Sequence, residues 1–202
     1  MASGARTASS WPSWRSWAES LTRPPLLDTP DGGLNQAFAW AAGRGAGAVQ
    51  AEAGPLDEWD VPEFAGLLEA GRSFRRVGPA AIPDPPGFLR DVVAGLFGLQ
   101  ADAGGGRYAV DPWIPEGWKR YALRRVRCHR TLLDIEIRPR AEWAGVRLAV
   151  TYGPPVAVAL SLRNAPRVSR VTVDDVALEG GRAIFTAAGE HEAMFFYRGV
   201  EP

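Results

Sequence analysis

Near residue 104 the spacing of apolar residues along this chain changes, and that change limits the fold more than any other feature. Downstream, apolar and polar side chains alternate. In TLLDIEIRPR, Leu133, Ile135 and Ile137 fall on one side, and Asp134, Glu136 and Arg138 on the other. In GVRLAVTYG, Val146, Leu148, Val150 and Tyr152 alternate with Arg147, Ala149 and Thr151. A period of two is that of a strand with one buried face. VAVALSL, RVTVDD, RAIFTA and EAMFFYRG continue it, with Gly-Pro, Asn-Ala-Pro, Gly-Gly and Ala-Gly-Glu between them. About six to eight short strands at this spacing predict an antiparallel sandwich of about 95 residues.

Upstream the period is helical. LNQAFAWAAGRGAGAV places Leu34, Phe38 and Ala41 or Ala42 on one face, with Asp31 as an N-cap, and Gly43, Gly45 and Gly47 weaken its second half. DVPEFAGLLEAGRSF offers Asp60 as a cap, Pro62 in the first turn, and Glu63 three residues after the cap. Its stripe is Phe64, Leu67 and Leu68, and Gly71 is placed to end it. After the proline-rich VGPAAIPDPPG comes FLRDVVAGLFGL, whose Phe88, Leu89, Val92, Val93, Leu96 and Phe97 make a wide apolar face. The expected fold is therefore α+β. A flexible leader (1–30) precedes a helical segment of about three helices (31–103), packed on a β-sandwich (104–202). In the leader, Trp11, Trp14 and Trp17 stand three apart, as on one face of a short helix.

Composition closes several functional classes. Lys+Arg and Asp+Glu number 23 each, so no net field favours nucleic acid or an anionic membrane. No run approaches the roughly 18 apolar residues of a membrane span, and the cytoplasm is the expected compartment. One cysteine, Cys128, excludes an internal disulfide and a cysteine-based zinc site. His129 and His191 are the only histidines and have no partners at metal-ligand spacing, so neither metal nor cofactor is expected. Gly104, Gly105 and Gly106 follow a helix and precede a strand, the reverse of a phosphate-binding loop; they allow the chain to change direction.

The stretch across that boundary carries a resemblance. GLFGLQADA, then GGRYAVDPWIPEGW, then a strand ending in LDIEIR, resembles the end of bacterial six-hairpin glycoside hydrolases. These include the glycogen-debranching-like, trehalase-like and α-L-rhamnosidase-like enzymes. Their last barrel helix leads through G-L-x-G-L-x-P-D-A and P-x-L-P-x-G-W into a C-terminal β-sandwich. VSRVTVDDVALEGGRAIFTAAGEHEAMFFY is similar to their final strands, which read V-x-V-D-G and then G-x-H-x-V. The resemblance covers roughly residues 84–198. Asp175 stands where the family often has Gly, and Gln100 where a basic residue is common. It implies an origin in carbohydrate metabolism. The catalytic carboxylates of the family lie in a twelve-helix barrel, of which residues 1–100 supply about three helices, so no catalytic residue is assigned.

Three groups remain as candidate sites. In PLDEWDVPEF, Asp57, Glu58, Asp60 and Glu63 surround Trp59. Paired carboxylates beside an aromatic face suit a remnant sugar site, whereas helix capping alone accounts for Asp60 and Glu63. Trp113 and Trp118 flank a turn and make either a glycan platform or the cover of the junction between layers. Glu58, Trp59, Trp113 and Trp118 are the carbohydrate-binding candidates. Arg120, Arg124, Arg125, Arg127 and Arg130 crowd RYALRRVRCHR, where strict alternation splits them between two faces and an exposed or edge strand is expected. Cys128 reads as a buried small hydrophobe.

The expected function is a non-catalytic carbohydrate-associated module that binds a glycan or assembles with a partner, either a second copy or a catalytic chain. One alternative is a glycoside hydrolase with a reduced carboxylate site. Another is a gene fragment without independent function.

Overall fold

A computed structural model describes residues 23–44, 61–101 and 107–198. The architecture is α+β, with helices at the N-terminal side of a two-sheet sandwich. The acidic cluster at 57–60, the leader tryptophans and the three glycines at 104–106 lie outside the described residues.

Helix α1 is Gly32–Arg44, α2 is Val61–Val77, and α3 is Pro85–Arg90, which widens into a π-helical turn at Asp91–Leu96. Asp31 caps α1 as expected. Its Oδ1 accepts from the amides of Gly33 at 2.8 Å and Leu34 at 2.9 Å. Asp84 caps α3 through the amide of Gly87 at 3.2 Å.

Gly71 does not end its helix, which continues to Val77. It is the point where α1 and α2 cross. A Cβ on Gly71 would lie 2.6 Å from the backbone nitrogen of Leu34, and one on Gly33 2.4 Å from the carbonyl oxygen of Gly71. Close backbone approach, rather than helix termination, explains both glycines.

The larger sheet has seven strands. These are β1 (Leu26–Asp28), β4 (Tyr121–Cys128), β5 (Thr131–Pro139), β6 (Trp143–Tyr152), β8 (Val168–Val173), β9 (Val176–Leu178) and β11 (Glu190–Tyr197). Their order is β1-β4-β5-β6-β11-β8-β9. The smaller sheet has β2 (Leu99–Ala101), β3 (Arg107–Val110), β7 (Val156–Leu160) and β10 (Ala183–Ala187), in the order β10-β7-β3-β2. Pairing is antiparallel throughout except between β3 and β7, which run parallel. The chain passes through the other sheet between those two strands.

Two strands come from stretches that sequence assigned elsewhere. β1 is drawn from the end of the stretch read as a leader, and β2 from the end of the helical segment. Inward residues follow the predicted alternation through Leu133, Ile135, Ile137, Val146 and Leu148, all buried, whereas Tyr152 at the far end of β6 is exposed. They join Leu34, Phe38, Phe88 and Phe97 of the helices in one continuous core. Among the described residues, no helix is long and apolar enough to cross a membrane.

Candidate functional site

The junction between helices and sandwich is built from the GLFGL and DPWIPEGW stretches. Gly98 adopts φ 59°, and its carbonyl accepts the amide of Asp111 at 3.1 Å. Trp113 donates its amide to the Leu96 carbonyl at 3.0 Å and accepts the Tyr121 hydroxyl at its own carbonyl. From the other side, the Arg163 amide reaches the Pro112 carbonyl at 3.0 Å. Asn164 clasps both backbone groups of Ile114, accepting from its amide at 2.7 Å and donating to its carbonyl at 3.1 Å. Arg163 adds an ion pair to Asp111 at 3.5 Å. The backbone of this loop is bonded to both layers, and it is a seam.

The two tryptophans divide at this seam. Trp113 is only 7% exposed. Trp118 is half-buried between Phe64 of α2 and Tyr121 of β4, with ring centroids 5.5 Å away on each side and edge-on geometry. Tyr121 continues the stack to Phe97 at 5.2 Å. Burial pushes the Tyr121 phenol well above its ordinary range. Glu58 and Trp59 lie outside the described residues.

The arginine strand is not an edge strand, since β4 lies between β1 and β5. Nor does it alternate strictly. A bulge falls between Leu123 and Val126, where Arg125 takes φ 58° and gives its amide to Asp134 at 2.7 Å. Both flanking residues stay buried, so Arg124 and Arg127 share the outer side. Arg120 reaches Asp28 at 2.9 Å and Glu136 at 3.0 Å, and Arg124 reaches the same Glu136 at 3.1 Å. The Arg120 hydrogen bond, with the charges of Arg120, Arg124 and Arg138, holds the Glu136 carboxyl below its usual range. Arg120 and Arg124 are thus matched by carboxylates of the same sheet, whereas Arg125 gives its Nε to the Pro24 carbonyl at 3.1 Å and Arg127 its Nε to the His129 carbonyl at 3.3 Å.

His191 is half-buried against Phe185, with ring centroids 5.3 Å apart. Its Nδ1 lies 2.7 Å from Asp174 Oδ2, and its Nε2 accepts the Ala188 amide at 3.1 Å. Asp174 also accepts the Glu192 amide at 2.9 Å, and that bond first, then His191, holds its carboxyl low. The pair ties the β8–β9 turn to β11. In that turn Asp174 and Asp175 have φ 49° and 66°. Two consecutive left-handed residues make the tight turn in which Asn-Gly and Asp-Gly are preferred. The position of Asp175 therefore fits the glycine seen there in the resembling family. Cys128 is buried, as expected, and burial raises its thiol to about 12.

One carboxylate escaped the sequence reading. Asp91 opens the π-helical turn, and burial raises its pKa against the lowering effect of Arg90, with Glu63 and Asp84 adding to the rise. Its only sequence signal was an acid within an apolar helix. No group of three or more metal-ligating side chains occurs among the described residues.

Residues 102–160 match the family model described as glycosyl hydrolase family 65, C-terminal domain. The chain is thus similar, over its first sandwich strands, to the C-terminal end of a glycoside hydrolase, as its motifs suggested. No curated protein matches it. Among solved structures, α-L-rhamnosidase from Dictyoglumus thermophilum aligns at 12% identity and a TM-score of 0.43, over 55% of this chain and 14% of that one. Streptomyces avermitilis α-L-rhamnosidase complexed with L-rhamnose aligns at 14% identity and a TM-score of 0.40, over 69% of this chain and 15% of that one. The chain spans about one seventh of the length of these structures.

Proposed function

We propose that this chain is a non-catalytic carbohydrate-associated module whose sandwich binds a glycan. The observation that carries the reading is the match of residues 102–160 to a glycoside hydrolase C-terminal domain. That stretch takes in β3 to β7, strands of both sheets. Packing of the helices supports a self-sufficient module. Leu34, Phe38 and Leu67 turn into the chain's own core, while Glu69, Arg72 and Arg76 form ion pairs on the outer side of α2. A charged outer face suits water better than a missing barrel wall. A second copy or a separate catalytic chain remains part of the proposal, read out by native mass measurement with and without candidate hydrolases. So does residence in the cytoplasm, read out by cell fractionation.

A second reading is favoured by Asp91. Its carboxyl, ion-paired with Arg90 at 3.6 Å and raised by burial against that pairing, is a candidate proton donor for glycoside cleavage. One experiment separates the two. Folded protein is incubated with a panel of α-linked glycans and aryl glycosides, and both bound sugar and released reducing sugar are measured. Binding without release supports the module. Release that disappears in Glu58→Gln or Asp91→Asn establishes the enzyme instead.

A further inference from the structure

The outer face of the seven-stranded sheet changes character along its strands. In its middle the arginines are matched by acids. Arg120 and Arg124 meet Glu136, Arg138 meets Glu192, and Arg147 meets Glu190 at 2.5 Å. At one end this matching stops. The Arg140 amide bonds the Trp143 carbonyl at 2.8 Å, the Tyr197 amide the Glu142 carbonyl at 3.0 Å, and the Arg198 amide the Arg167 carbonyl at 2.8 Å. These bonds gather Arg140, Arg167, Arg170 and Arg198 where β5 turns into β6, β8 begins and β11 ends. All four are exposed, and none makes an ion pair among the described residues. Glu142 is the acid beside them.

Two aromatic residues lie among these cations. Phe196 pairs directly with Trp143 of β6 on one side and with Arg170 of β8 on the other. Ala144, Phe195 and Val171, the neighbours in sequence, are buried inward, so this row faces out. The Arg170 guanidinium carbon stands 4.2 Å from the Phe196 ring centroid, and that of Arg140 stands 5.5 Å from Trp143. A guanidinium seated over a ring is held in place and is weakly hydrated. Arg140 gives its Nη1 to the Lys119 and Pro139 carbonyls at 2.7 Å each, so the edge it keeps for a ligand is Nε and Nη2. Such edges bind planar carboxylates with two parallel hydrogen bonds. The row crosses three strands, about 10 Å of backbone spacing.

We propose that this row, Arg140, Trp143, Phe196 and Arg170 with Arg167 and Arg198 at its rim, binds an acidic polysaccharide of the uronate class. The inference rests on the glycan-binding reading above and names its ligand. A neutral sugar chain has no use for four unmatched cations. A uronate chain repeats a carboxylate on each residue and presents apolar ring faces to the aromatics between them.

The test is titration calorimetry with polygalacturonate, its fully methyl-esterified form, a neutral glucan and polyaspartate. The expected result is binding of polygalacturonate alone, weakened by added salt. It falls at least tenfold in Arg140→Gln/Arg170→Gln, with circular dichroism unchanged. If that variant does not fold, Arg167→Gln/Arg198→Gln gives the same readout. Equal binding of the methyl ester or the glucan, unaffected by either variant, overturns the acidic ligand and leaves the glycan-binding reading intact. Equal binding of polyaspartate overturns the saccharide in favour of an acidic protein. Absence of binding to all four overturns the uronate ligand, and the panel of α-linked glycans above decides the glycan-binding reading separately.

Discussion

The carbonyl of Asp111 occupies the space that a side chain on Gly98 would need. A Cβ built there lies 2.0 Å from the Asp111 oxygen, on a backbone already at φ 59°. This contact fixes where the last helix gives way to the first hairpin of the smaller sheet. Gly98→Ala should therefore destabilise on two counts: about 1 kcal/mol for the left-handed backbone, and more for separating β2 from β3. A total of about 3 kcal/mol or more is expected in urea unfolding, whereas Gly117→Ala, with open space around it, loses only the backbone share.

Trp118 bridges Phe64 and Tyr121, so its loss should register as stability. Trp118→Ala is expected to lower the unfolding free energy by about 2–4 kcal/mol, and Trp118→Phe by less than half of that. Thermal unfolding measures this directly. Glycan retention per folded molecule should stay unchanged, which separates the packing role from a binding platform.

Asp175→Gly should stabilise the protein. The β8–β9 turn holds this residue at φ 66°, a conformation glycine adopts freely. A gain of about 0.5–1 kcal/mol is expected. Asp174→Gly in the same turn should not gain, because it forfeits the bonds to the Glu192 amide and to His191.

Alkaline pH should weaken the fold before it ionises the folded form. Burial raises both the Cys128 thiol and the Tyr197 phenol to about 12. Unfolded, these groups ionise near about 8.5 and 10. A pKa raised by folding contributes stability that is complete below the unfolded value and is lost as pH rises toward 12. Urea midpoints should hold steady from pH 7 to about 8.5 and fall beyond it. In Cys128→Ala the onset should move toward the tyrosine range. A disulfide reagent at pH 8 should label Cys128 only in denaturant.

The sandwich was legible because its inner residues alternate over long runs, as in Leu133, Ile135 and Ile137. The cap at Asp31 was legible because a helix start is a local event. Gly71 was misread because a glycine that ends a helix and one that admits a neighbouring helix look alike until Gly33 is brought against it. Strict alternation failed along the arginine strand because one bulge residue reverses every later assignment on it. The aromatic row was missed for a related reason. Phe195 and Phe196 are adjacent, so one had to face outward, but sequence did not bring Trp143 and Arg170 to its two sides.

The last strand among the described residues, β11, is not at the margin of its sheet but between β6 and β8. Order of synthesis and order in space therefore disagree. When the ribosome has released β10, β6 still presents a full row of unpaired amides and carbonyls, and the β8–β9 hairpin has no neighbour on its inner side. Only Glu190–Tyr197 joins them. The nascent protein thus carries an open strand edge until β11 has emerged, and a ribosome that stalls before that strand leaves a product prepared for pairing with the wrong chain.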